Sequence, residues 1–192
     1  RPGPDDRIVV ALGDSYISGE GADEYYEGTN TPGQSTCRRA PTAYPPLLIL
    51  ERRVAVPDRL AFLACSGAKT RQVVGPEGVG GTQVAQFLDH VEPADDDIAF
   101  VLVSMGGNDA LFGAIGHACL LPIDCTDLAP AFRDNLASVG ETLDAAYADL
   151  RNQLPGIPVL VVPYPVAIYP DRCAESVFSA DEHRFLHDFT QE

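Results

Sequence analysis

Four short apolar runs constrain the fold of this chain more than any other feature. Residues 7–13, 60–64, 98–103 and 157–162 consist mostly of Ile, Val, Leu, Phe and Ala. Each is too short for a stable helix, and β-branched side chains suit a pleated surface. Hydrophobicity within them is continuous. Alternation would mark a strand with one wet face, so these runs read as strands covered on both faces, as in a parallel sheet between layers.

Consecutive parallel strands need crossovers of about a dozen residues or more, and helical patterns fill the gaps. The clearest covers residues 130–154, where Phe132, Leu136, Val139, Leu143, Tyr147, Leu150 and Leu154 recur every three or four positions and form a core-facing stripe. Shorter helices are expected at 43–53 and 82–90. Segments 22–42 and 113–129, rich in Gly, Pro, Thr and Cys, read as long loops beside the strand ends, where such sheets bind ligands. The expectation is one α/β domain over residues 1–192, a three-layer, doubly wound sandwich with a central parallel sheet. With 192 residues, 45% of them hydrophobic and 21% charged, the chain can bury one substantial core.

Ser179-Ala180-Asp181-Glu182 has the pattern of a capping box, and Phe185, Leu186 and Phe189 continue it as one apolar face. This last helix is expected to reach Glu192 unfinished, with the domain incomplete at its C-terminal side and the polypeptide continuing.

A formal net charge of −15 repels phosphate backbones and anionic lipid surfaces, so nucleic acid is not an expected partner. No apolar run reaches the roughly 18 residues of a membrane span, and the first residues lack the apolar core of a signal peptide. A soluble, secreted protein whose export signal has been removed is expected. Five cysteines, at positions 37, 65, 119, 125 and 173, form neither a CxxC pair nor a zinc-spaced cluster. Two disulfides and one leftover thiol are expected in an oxidising compartment.

Three segments that follow successive strands carry chemistry. After the first comes Gly13-Asp14-Ser15-Tyr16-Ile17-Ser18-Gly19-Glu20-Gly21. A serine at the C-terminal end of a strand projects over the sheet edge, within reach of a base. Gly-Asp-Ser alone is also an ordinary turn; the nine-residue context is more specific. After the second comes Ala64-Cys65-Ser66-Gly67-Ala68, where Gly67 can present an open backbone N–H. After the third comes Ser104-Met105-Gly106-Gly107-Asn108-Asp109; the Asn108 amide can donate to a developing oxyanion, although an Asn-containing turn explains the segment equally well. One nucleophile candidate and two donor candidates therefore leave three successive strands.

In these blocks the chain resembles the SGNH, or GDSL-like, hydrolases. The resemblance to their secreted bacterial lipases, phospholipases and esterases extends through residues 37–45, 62–68 and Val162-Pro163-Tyr164-Pro165. It implies a flavodoxin-like strand order, Ser15 as nucleophile, and an oxyanion hole made of the Ser15 N–H, the Gly67 N–H and the Asn108 side chain. It also implies disulfides Cys37–Cys65 and Cys119–Cys125, with Cys173 bridging to a cysteine nearer the C-terminus and able to tether a C-terminal segment of the same protein.

The family's catalytic histidine sits in an Asp-x-x-His-Pro block or a looser variant, which residues 1–192 lack. His90 closes a surface helix, His117 lies in the cysteine loop, and His183 and His187 share the last helix. Solvated or locally bonded roles suit all four, and two histidines without a third ligand make a poor metal site. The catalytic histidine is therefore expected downstream of Glu192. Asp14 and Asp109 are expected to bond loop amides.

The resemblance thus implies a serine esterase or lipase that cleaves carboxylic esters (acyl lipids, phospholipids or short-chain esters) through an acyl-Ser15 intermediate, without metal or organic cofactor. The alternatives are a non-catalytic lipid- or glycan-binding relative or fragment, and an acyltransferase on the same fold.

Overall fold

The computed structural model describes residues 7–50, 59–76, 78, 80–91, 98–121, 124–166, 168–169 and 177–192. In chain order its elements are β1 (Ile8–Gly13), α1 (Ser15–Ser18), α2 (Tyr44–Leu50), β2 (Arg59–Phe62), α3 (Thr70–Val73), α4 (Gln83–Leu88), β3 (Ile98–Ser104), α5 (Phe112–Cys119), a 3-10 turn (Cys125–Leu128), α6 (Ala129–Gln153), β4 (Val159–Val161) and α7 (Ala180–Phe189). Two units emerge from the pattern of contacts. One comprises Arg1–Met105 and Asp144–Val162, the other Gly106–Leu143 and Pro163–Glu192.

The first unit holds the sheet, in the order β2-β1-β3-β4 with every pairing parallel. Central β1 pairs Ala11 with Phe62 on one side and Leu102 on the other. Its continuous hydrophobicity has the expected cause. Val9 and Ala11 join a core with Ile17, Ala64 and Leu102 under Tyr44, Leu48 and Ile49 of α2, while Val10 and Leu12, which point to the opposite face, are also fully buried. A strand with no wet face gains nothing from polar alternation.

Strand β4 departs from the expected pattern. It is shorter than the apolar run 157–162, and Leu160 and Val161 are 49% and 52% exposed. Among the described residues it has one neighbour, β3, and Pro158 cannot donate to a ladder, although its carbonyl still accepts from the Val101 N–H at 2.8 Å.

The second unit corrects one sequence-based expectation. Segment 113–129 is not an open loop: it contains α5 and the 3-10 turn, joined by the disulfide Cys119–Cys125. Gly113 and Gly116 hide the helical signal, and α5 has no side-chain cap. Packing stabilises it instead, since Ile115 and Cys119, one turn apart, are buried with Ala129, Phe185, Leu186 and Phe189. Helix α7 spans Ala180–Phe189, and the Thr190 N–H bonds to the carbonyls of Leu186 and His187.

The capping box of α7 forms as expected: the Ser179 hydroxyl accepts from the Glu182 N–H (3.2 Å) and the Glu182 carboxylate from the Ser179 N–H (2.8 Å). The same carboxylate accepts from the Cys125 N–H at 3.3 Å, tying α7 to the disulfide loop. These N–H donors, the Ser179 amide first, hold the Glu182 pKa below its ordinary 4.5. The linked stabilisation is therefore full above pH 4.5 and is lost as pH falls through the lower folded value. Thermal melts of wild type and Glu182→Gln should differ at pH 7 and converge as the buffer is taken to pH 3; a gap independent of pH would count against this role.

Candidate active site

The nucleophile candidate sits at the C-terminal edge of the central strand. Gly13 ends β1 at φ +136°, and a β-carbon there would lie 1.9 Å from the Ser104 carbonyl oxygen. Only glycine lets β1 approach β3 this closely. Asp14 then caps α1: it is buried, 2% exposed, and its carboxylate accepts from the Tyr16 N–H at 3.1 Å. The Asp14 N–H donates to Ser104 O at 3.1 Å. Ser15 follows at the first position of α1, half-buried, with the exposed ring of Tyr16 beside it.

Three more bonds fix the strand end. The Gly13 carbonyl accepts from the Cys65 N–H at 2.9 Å and from the Gln83 side-chain amide at 2.8 Å, and the Gly13 N–H donates to the Gln83 carbonyl oxygen, also at 2.8 Å. Nothing in the local sequence marks Gln83 for this role. Its partner is 70 residues away, and a glutamine at the start of a helix carries no local signal.

The Gly67 loop leaves the same sheet edge after β2. Ala68 N–H bonds to Cys65 O at 3.0 Å, closing a turn in which Gly67 takes φ +77°, the position that favours glycine in such turns. Gly67 is exposed. Among the described residues neither its N–H nor that of Ser15 has a protein acceptor. Segment 22–42 holds this loop in place. Cys37 is bonded to Cys65, the Ser66 N–H donates to Cys37 O, and the Arg39 guanidinium donates to the carbonyls of Ala64 (2.8 Å) and Leu63 (3.2 Å). Burial lowers the pKa of Arg39, but an arginine stays charged at any working pH. Glu20 links Arg38 to Ser66 by hydrogen bonds.

Below these loops the Tyr44 ring packs 5.7 Å from that of Tyr16. Burial first, and then the proximity of Tyr16 and Asp14, pushes the Tyr44 hydroxyl pKa far up, so it remains neutral.

Asn108 lies in the second unit, four residues past the end of β3, in a turn closed by Ala110 N–H to Gly106 O (2.8 Å) and Phe112 N–H to Gly107 O (3.0 Å). Asn108 is half-buried. The two glycines before it are tight against Leu143 and Tyr164, and the Tyr164 hydroxyl accepts from the Gly107 N–H at 3.0 Å. Asn135 donates to Asp109 O at 2.8 Å, so Asp109 is a structural anchor at least through its backbone.

The chain matches the GDSL-like Lipase/Acylhydrolase family over residues 11–185. It belongs to that family. Among GDSL-like relatives it is 30% identical over 161 residues to Lipase 1 of Streptomyces coelicolor and 30% identical over 160 residues to a lipase of Streptomyces rimosus. Each alignment covers 81% of this chain and 52% of the relative, so the chain spans about half the length of these lipases. The fold agrees with two solved structures. Phospholipase A1 from Streptomyces albidoflavus NA297 superposes with a TM-score of 0.76 at 28% identity, over 97% of this chain and 71% of the other. The extracellular lipase from S. rimosus does so at 0.78 and 26%, over 96% and 71%.

Both disulfides implied by the GDSL-like resemblance are present; Cys173 lies outside the described residues. His90 and His117 are exposed. His183, 5% exposed, donates from Nδ1 to Tyr169 O (3.1 Å) and meets Phe178 edge-on. His187 donates from Nδ1 to Ile168 O (2.7 Å), and its Nε2 faces the Gln191 amide at 2.5 Å. Among the described residues no three His, Cys, Asp or Glu side chains cluster as metal ligands, and no helix is long and apolar enough to cross a membrane.

Proposed function

We propose that this chain carries the nucleophile and oxyanion hole of a secreted serine hydrolase acting on carboxylic esters. One observation carries the proposal: Ser15 is held at the sheet edge by a backbone fixed on both sides, and its own N–H and that of Gly67 are open donors from the first unit. Ser15 attacks the ester carbonyl and gives its proton to a histidine. The Ser15 and Gly67 amides, with the Asn108 side chain, hold the tetrahedral oxyanion. The alcohol leaves with that proton, and water then releases the acid from the acyl-serine. No step calls for a metal or an organic cofactor.

The general base is a histidine downstream of Glu192. Supporting this are two histidines that point at solvent from surface positions and two whose rings are committed within the second unit, together with the greater length of the lipases that the chain matches. Acyl lipids and phospholipids are the proposed substrates, in keeping with the lipase and phospholipase names of its relatives. Two disulfides and an extracellular relative support secretion.

Kinetics on p-nitrophenyl acyl esters with the full-length protein test the reading. Asn108→Ala should lower kcat by about 10²–10³-fold, the loss of one oxyanion donor, while the thermal melt stays cooperative. Turnover unchanged by this substitution would remove Asn108 from the hole; no hydrolysis by the wild type would overturn the proposed function.

A further inference from the structure

Gln83 is 4% exposed and lies at the first position of α4, where Thr82 caps the helix by accepting from the Ala85 N–H at 3.1 Å. Its side-chain amide does not face solvent or its own helix. It reaches Gly13 and bonds both ends of that residue, the N–H to Oε1 and the carbonyl to Nε2, each at 2.8 Å. A carboxamide offers the same donor and acceptor pair as a peptide group. Gln83 therefore does for the last residue of β1 what a neighbouring strand does for the rest. Strand β2 is last paired at Phe62, opposite Ala11, and beyond that point the ladder gives way to single bonds from Leu63, Ala64 and Cys65.

We infer that Gln83 is a positioning residue of the esterase reaction: its amide clamps the Gly13 backbone and so fixes the direction in which Ser15 leaves the sheet. The inference rests on Ser15 being the nucleophile. One residue, Asp14, separates the clamped Gly13 from Ser15, and the steric block at Gly13 lets the chain rotate there in few ways. Gln83 and Gly13 are both buried, so losing the clamp affects the geometry of attack more than binding. A misplacement of about 1 Å in a reacting group costs on the order of 10²-fold in rate.

The test uses the full-length protein with Gln83→Met, which keeps length and removes both bonds, and Gln83→Glu, which keeps size and the acceptor for the Gly13 N–H but sets a second acceptor against the Gly13 carbonyl. Both are assayed at a temperature where circular dichroism shows the variant fully folded. The expected result is kcat lower by about 10- to 100-fold with KM within about twofold of wild type. If Gln83→Met does not fold, Gln83→Glu decides alone. A kcat within twofold of wild type, equal changes in kcat and KM, or loss of fold in both variants overturns the inference and makes Gln83 a structural residue only. Failure of the underlying Ser15 reading looks different, because wild type itself is then not modified at Ser15 by a phosphonate ester.

Discussion

Ser15→Ala should lower kcat on an ester substrate by about 10⁶-fold, the loss found when the nucleophile of a serine hydrolase is removed, with KM and melting temperature close to wild type. Ser15 is half-buried at a helix start whose cap is Asp14. Alanine suits the first turn of a helix, and the backbone bonds of residues 13–14 do not involve the serine hydroxyl. The substitution thus separates chemistry from folding. Steady-state kinetics and calorimetry on the same preparation check it; a variant that keeps a tenth of wild-type turnover would mean that another group is the nucleophile.

Among alanine substitutions at the glycines whose surroundings are described, Gly13→Ala should produce the largest loss of stability. The new β-carbon would meet the Ser104 carbonyl oxygen at 1.9 Å and Ile17 Cγ2 at 2.8 Å, and the backbone would still need φ +136°. Neither neighbour is a flexible surface side chain. Relief requires parting β1 from β3, which also breaks the Asp14 bond to Ser104. We expect a destabilisation of about 4 kcal/mol or more, or roughly 8–16 °C in Tm for a chain of this size. Gly67→Ala is the control. It has positive φ too, +77°, but nothing lies within 4 Å of its β-carbon, so only the conformational cost of about 1–2 kcal/mol applies. Equal shifts for the two variants, measured by calorimetry, would contradict the steric account.

What the sequence made legible follows from where its signals are local. The strands and α6 were readable because burial on both faces, or along one stripe, writes itself into consecutive residues. Segments 13–21, 64–68 and 104–109 could be placed after strands for the same reason. Helix α5 was not readable: two glycines and the absence of a cap erase its local signal, and Ile115 and Cys119 are held by residues up to 74 positions away. Pairing Cys37 with Cys65 needed the family resemblance, since cysteine spacing alone leaves many pairings open. The contacts that fix the candidate site were the least visible. Gln83 to Gly13 and Tyr164 to Gly107 join side chain to backbone across 70 and 57 residues, and such bonds leave no periodicity behind.

The most direct measurement is covalent labelling of the folded full-length protein with a phosphonate ester, followed by peptide mass spectrometry. The account predicts one adduct, on the peptide containing Ser15, which disappears in Ser15→Ala and after heat denaturation of the wild type. No adduct on folded wild-type protein, or a single adduct at any other residue, would contradict it.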